Sequence, residues 1–218
     1  QVFQQGGFDA VIGNPPYGVT FIKPELDYVT SHYPETKKFP DSYTLFIVKA
    51  IALLKESGKL GFIVPNTFCD LENCQDFRMW LLSNHQLSQI YQTGWAFKDA
   101  IVDTIVFILN PQLPDKDESV SIVVNSDQYS RSISDFIENP LCKIDYRNKP
   151  ENLGLLQKVR SFPVLSQFII AKAGVKLYEK GKGTPPQTEK TLRERPFTSE
   201  VRQSDGWLPL IRGEDVTR

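Results

Sequence analysis

An α/β fold follows from three observations on the sequence. Short apolar runs rich in β-branched residues are bounded by Gly and Pro, and between them apolar residues recur at helical spacing. Two further apolar runs then follow one another without an intervening helical segment. Strand, helix, strand, helix, strand, strand is the pattern of an α/β sheet finished by a closing antiparallel strand pair.

The elements read in order as follows. Phe8 to Gly13 is a short buried strand, cut off by Asn14-Pro15-Pro16-Tyr17. Asp41-Ser42 reads as an N-cap, opening a helix that runs to about Ser57 with Gly58 as its C-terminal stop. Phe46, Ala50, Leu53 and Leu54 form one apolar row on it, and Ile47, Ile51 and Leu54 a second, so it packs on a sheet. Leu60 to Val64 is a second buried strand, stopped by Pro65. Asp70 caps a helix from about Glu72 to Leu82 with Phe77, Trp80 and Leu81 inward. Leu87–Tyr91 and Thr104–Leu109 are the closing strands. The segment 93–103 between them holds Gly94, Trp95 and Phe97.

After Asn110 the texture changes to a polar, proline-bearing connector over 111–118. Ser119–Val124 reads as a strand and Ser132–Glu138 as a short helix. From about Lys172, Gly and Pro are frequent, which predicts loops and short strands. The division is therefore residues 1–150 as one domain and 151–218 as a connector with the start of a second.

Composition bounds the function classes. The 218 residues are 40% hydrophobic and 23% charged, an ordinary composition with enough chain for a sizeable core. No run of about 18 apolar residues occurs, so no membrane helix and no membrane partner are expected. No secretory leader is visible, and the chain begins at Gln1, which reads as a piece of a longer protein. Cys69, Cys74 and Cys142, with only His32 and His85 beside them, lack metal-ligand spacing. Free thiols and a cytoplasmic location are the expectation, with no metal. Net charge is -1, but residues 1–110 carry 8 basic and 11 acidic side chains, whereas 172–218 carry 10 and 7. The basic drift toward the C-terminus suits a nucleic-acid contact.

Asn14-Pro15-Pro16-Tyr17 carries the chemistry. An exocyclic adenine amine is a poor nucleophile because its lone pair is delocalised into the ring. Two acceptors for its hydrogens return density to nitrogen, and the Asn14 side-chain oxygen and Pro15 carbonyl can serve. Consecutive prolines stiffen the loop and fix the direction of its carbonyls. The ring of Tyr17 can stack on an extruded base, since a base inside the duplex is out of reach. Positioning and acceptor placement then suffice. The competing reading is an Asn-Pro turn leaving a strand, with Tyr17 filling the core.

On these residues the chain resembles the amino-methylating DNA methyltransferases. Within them it is most similar to the gamma-class adenine-N6 enzymes of restriction–modification systems, including type IIG-like enzymes fused to a nuclease. Phe8 to Tyr17 resembles their catalytic strand and loop, and Gly58 to Asn66 their next strand. Phe97 with Val102–Leu109 resembles the segment whose phenylalanine stacks on the flipped adenine. Ala173-Gly174-Val175 and Pro209–Val216 resemble the opening of a target-recognition domain. The resemblance implies the C-terminal half of a Rossmann-like methyltransferase sheet and double-stranded DNA as partner. It implies S-adenosylmethionine as cofactor of the intact parent protein, with Asn14 and Pro16 among its contacts. Asn14, Pro15, Pro16 and Tyr17 become the catalytic set, and Tyr17 and Phe97 the base-stacking pair.

The family's glycine-rich donor loop precedes this motif, yet only seven residues precede Phe8, and Gly6-Gly7 lies before a strand rather than between strand and helix. The expectation is a piece lacking the donor-binding half, inactive alone and prone to association through an exposed sheet edge. Lys180-Gly181-Lys182-Gly183-Thr184 lacks the upstream strand of a phosphate loop and reads as a solvated loop. Two alternatives stand beside this reading: a protein-glutamine or ribosomal-RNA amino-methyltransferase, and an inactive DNA-binding or interaction module.

Overall fold

Six strands form one mixed sheet in the computed structural model, which describes residues 4, 6–94, 103–115, 117–169 and 177–206. The strands are β1 (Phe8–Gly13), β2 (Leu54–Pro65), β3 (Gln86–Gly94), β4 (Thr104–Asn110), β5 (Ser119–Val124) and β6 (Asp127–Ser132), in the order β1-β2-β4-β3-β5-β6. β1 runs parallel to β2, and β4 is antiparallel to both β2 and β3, which gives the predicted closing pair. β5 is parallel to β3 and turns back through Asn125-Ser126 into antiparallel β6. Asn125 takes the left-handed conformation, φ 55°, that such a two-residue turn demands.

The helices are α1 (Lys23–His32), α2 (Ser42–Leu53), α3 (Gln75–Asn84), α4 (Ile133–Ile137), α5 (Leu153–Arg160) and α6 (Glu189–Glu194). The core is the face of the sheet covered by α2, α3 and α4. Leu60, Phe62 and Val64 of β2 lie there with Ile105, Phe107 and Leu109 of β4. Cross-strand pairs Leu60–Leu109 and Phe62–Phe107 join the two strands. Ile47, Ala50 and Ile51 close the layer from α2, and Phe77, Leu81 and Leu82 from α3. Each of the larger of these side chains (Val, Leu, Ile, Phe), fully buried, contributes roughly 1.5–3 kcal/mol.

Several boundaries differ from the sequence reading. α2 ends at Leu53, not Ser57, because Leu54 already pairs with Phe8. A step of two positions along β1 (Phe8 to Ala10) then matches a step of five along β2 (Leu54 to Lys59), so Lys55–Gly58 bulge from the ladder. Gly58 is therefore not a helix stop. A Cβ there would sit 2.8 Å from the Phe8 carbonyl oxygen, so glycine is needed for close approach of two backbones. Of the two apolar rows on α2, Ile47–Ile51–Leu54 is the core row, while Phe46 is half exposed. α3 begins at Gln75 after a 3-10 turn, Glu72–Cys74, and Asp70 does not cap it. α1 and β6 were not predicted.

Residues 1–161 and 162–218 form two compact units. The first thus runs beyond residue 150 to take in α5, where Arg160 reaches Asp145 at 3.9 Å. In the second, the Tyr178 and Phe197 rings stack at 5.8 Å and the Tyr178 hydroxyl accepts the Phe197 N–H at 2.8 Å. α6 opens on Thr188, whose hydroxyl accepts from the Thr191 N–H. The short strands predicted from Lys172 onward do not occur among the described residues. Lys180 is paired with Glu189 at 2.5 Å. Among the described residues no helix is long and apolar enough to cross a membrane.

Candidate active site

The Asn14–Tyr17 loop leaves the C-terminal end of β1, where open α/β sheets present ligands. β1 is an edge strand whose face is largely open; Ile12 is 85% exposed. The loop folds over the end of β2. Asn14 and Pro16 are exposed, Pro15 is buried and Tyr17 is half-buried against the core.

The Tyr17 hydroxyl lies 2.5 Å from Asn14 Oδ1 and 3.1 Å from the Ile63 carbonyl oxygen. Its single proton can serve one of these at a time. Loss of solvent raises the Tyr17 pKa, so the neutral donor form persists. The ring meets Tyr43 edge-on, centroids 6.1 Å apart and planes at 87°. Tyr17 is thus packed at one edge against Tyr43 and hydrogen-bonded at its hydroxyl to Asn14.

Phe97 and Trp95 lie outside the described residues. The neighbouring rim is described. Asn66 N–H donates to the Asp103 carbonyl at 3.0 Å, and Arg147 pairs with Asp103 at 3.4 Å. Asn66 Nδ2 lies 3.4 Å from the Tyr146 hydroxyl.

Two site-adjacent residues escaped sequence reasoning in their true role. Asp41 sits at the N-cap position of α2, yet its side chain makes no capping bond. The carboxylate accepts the Gly18 N–H instead, at 3.0 and 3.3 Å. Ser42, 5% exposed, donates its hydroxyl to the Pro16 carbonyl at 2.6 Å. A cap signal and a loop clamp use the same residue types. Asp41 stands 23 positions after Gly18, and that separation left no local sign of the pairing. Cys69, Cys74 and Cys142 are buried free thiols away from this chemistry, and burial pushes the Cys74 thiol up to about 12.

Comparison with known proteins finds a family model and several relatives that this chain resembles. Residues 1–97 match the family described as Eco57I restriction-modification methylase. The chain is 35% identical over 112 residues to the type II restriction enzyme and methyltransferase RM.Eco57I of Escherichia coli, covering 48% of this chain and 11% of that protein. It is 23% identical over 211 residues to the type II methyltransferase M.VspI of Vibrio sp. (strain 343), covering 97% of this chain and 48% of the relative. The chain thus spans about half of M.VspI and about a tenth of RM.Eco57I. A modification subunit assigned to a type I restriction enzyme from Vibrio vulnificus YJ016 shares the fold. Its TM-score is 0.53 at 16% identity, over 70% of this chain and 40% of that one.

Proposed function

We propose that this chain, whose residues 1–97 belong to the Eco57I restriction-modification methylase family, is the acceptor side of a DNA methyltransferase acting on the exocyclic amine of adenine. The observation that carries the reading is the loop itself. Asn14 is exposed at the end of a parallel strand, with its side-chain oxygen beside the Tyr17 hydroxyl and the two prolines fixing the backbone that follows. In this reading Asn14 Oδ1 and the Pro15 carbonyl accept the two amine hydrogens and raise the nucleophilicity of nitrogen. Tyr17 and Phe97 hold an adenine extruded from double-stranded DNA between their rings.

The methyl donor is S-adenosylmethionine, which supplies an electrophilic methyl carried on sulfur. The exposed Asn14 amide and Pro16 ring suit one wall of its site, and further contacts belong to the intact parent protein. The chain's own residues do the orienting. Asn14 aligns the amine, and the stiff loop holds that alignment while the proton lost from nitrogen passes to solvent.

The test uses the intact parent protein with tritiated S-adenosylmethionine. Label should enter duplex DNA and be recovered as N6-methyladenine, with no label in RNA or protein. Asn14→Ala should lower the rate about 10²–10³-fold, as loss of one preorganised polar group does at other sites, with binding of duplex DNA retained. Label in N4-methylcytosine, in RNA or in glutamine would overturn the substrate assignment. Normal turnover by the Asn14→Ala variant would overturn the site.

A further inference from the structure

We infer that Asp41 and Ser42, at the start of α2, are positioning residues for the Asn14–Tyr17 loop. Three consecutive residues of the helix start contact three consecutive loop residues. Asp41 accepts the Gly18 N–H, Ser42 donates to the Pro16 carbonyl, and the ring of buried Tyr43 lies edge-on to Tyr17. The loop has few other handles. Pro15 and Pro16 carry no N–H. Of the backbone groups that follow Pro15, the Pro16 carbonyl and the Gly18 N–H are both taken by the clamp.

The consequence is chemical. Ser42 Oγ lies 3.2 Å from Asp41 Oδ1 and 2.6 Å from the Pro16 oxygen, so the shorter contact takes its one proton. The Pro16 carbonyl is thereby committed to the fold, and across a rigid diproline its direction sets that of the Pro15 carbonyl. Asp41 then secures the chain where it turns away, at Gly18, which is left-handed at φ 66°. The Asp41 carboxylate, freed from capping its own helix, acts on the loop instead. Neither side chain meets the base or the donor; both act through the loop. This inference rests on the loop being the methyl-acceptor site.

The test compares Ser42→Ala, Ser42→Thr, Asp41→Ala and Asn14→Ala in the intact parent protein, reading kcat and KM separately together with thermal midpoints. A loop displaced by a fraction of an ångström loses alignment before affinity. Ser42→Ala and Asp41→Ala should therefore each lower kcat about tenfold, leaving KM for DNA and for S-adenosylmethionine within about twofold. Ser42→Thr, which keeps the hydroxyl, should restore most of the rate. If Ser42→Ala fails to fold, Asp41→Ala decides by the same criteria, since its side chain is only half-buried. The clamp is refuted if Asp41→Ala and Ser42→Ala both keep full kcat while Asn14→Ala is inactive. It is equally refuted if they raise KM at unchanged kcat. An active Asn14→Ala variant instead sinks the reading of the loop, and the clamp's role with it.

Discussion

Two regions of the first unit are tied together by the same device, a polar side chain donating to backbone carbonyls, in opposite surroundings. At the loop, Ser42 makes one such bond, to Pro16, beside exposed Asn14. In the interior, Arg78 is 0% exposed and makes four. Its Nε donates to the Cys142 carbonyl at 2.9 Å, and Nη1 to those of Phe68 and Leu71 at 2.6 and 2.7 Å. Nη2 donates to the Leu141 carbonyl at 2.8 Å. Water can replace a bond lost at the open loop, whereas the bonds from Arg78 to the Phe68 and Cys142 carbonyls are buried away from it. The same bond therefore sets geometry at one place and stability at the other.

The sharpest way to break this comparison is Arg78→Met, which keeps the length of the side chain and removes every donor. The carbonyls of Phe68, Leu141 and Cys142 lose the guanidinium, and Leu141 and Cys142 are held at φ 59° and 52°, a costly conformation without support. The Leu71 carbonyl keeps the Cys74 N–H. The expected loss is about 3–5 kcal/mol of unfolding free energy, read by urea denaturation of the chain. A loss below about 1 kcal/mol would mean that the buried node contributes no more than the loop clamp.

The contrast also explains what the sequence could and could not disclose. Asn14-Pro15-Pro16-Tyr17 is contiguous, so it could be singled out as a candidate site without a structure. The four carbonyls of the Arg78 node are backbone groups, and any residue type could supply them. β6 escaped for a related reason: the residue it buries is Arg131, 3% exposed and bonded to Asp135 at 2.9 Å. A strand whose inward residue is charged shows no apolar alternation. α1 buries only Val29, so it presents no apolar face to detect. The end of α2 was misread because Leu54-Lys55-Glu56-Ser57 is acceptable helix sequence. Pairing of Leu54 with Phe8, 46 residues away, overrides that local preference.

Gly58 bears on the loop region, since the bulge it permits holds β1 and hence the loop on the sheet. A Cβ at this position would meet the Phe8 oxygen at 2.8 Å, and Leu54 Cδ2 and the Lys55 oxygen at 3.0 Å. Two of the three are backbone atoms and cannot swing aside. Gly58→Ala should cost about 1–3 kcal/mol of stability. In the intact parent protein it should also lower kcat, because the strand that carries Asn14 must shift. Unchanged stability would show that the bulge relaxes freely; lost stability with full activity would show that the loop is held by the α2 clamp alone.

The smallest expected effect is a pH dependence at His85, which lies between the two regimes, half-buried at the end of α3. Its Nδ1 is 3.3 Å from the Pro111 carbonyl oxygen, the Trp80 ring meets it at 4.9 Å, and Nε2 is buried without a partner. Burial lowers its pKa, with the Pro111 carbonyl opposing in part. The folded chain therefore binds this proton less readily than the unfolded one, whose His titrates near about 6.5. Above that pH both forms are neutral and His85 adds no pH dependence. Below it the unfolded state gains the proton first, so stability falls as pH drops from about 6.5 through the lowered folded value. Urea midpoints at pH 7.5 and 5.5 should show this fall, smaller than the Gly58→Ala loss. In His85→Gln the part of the slope due to this residue should vanish. An identical slope in the variant would assign the acid sensitivity to other groups, and His85 would then belong with the solvated loop rather than the buried node.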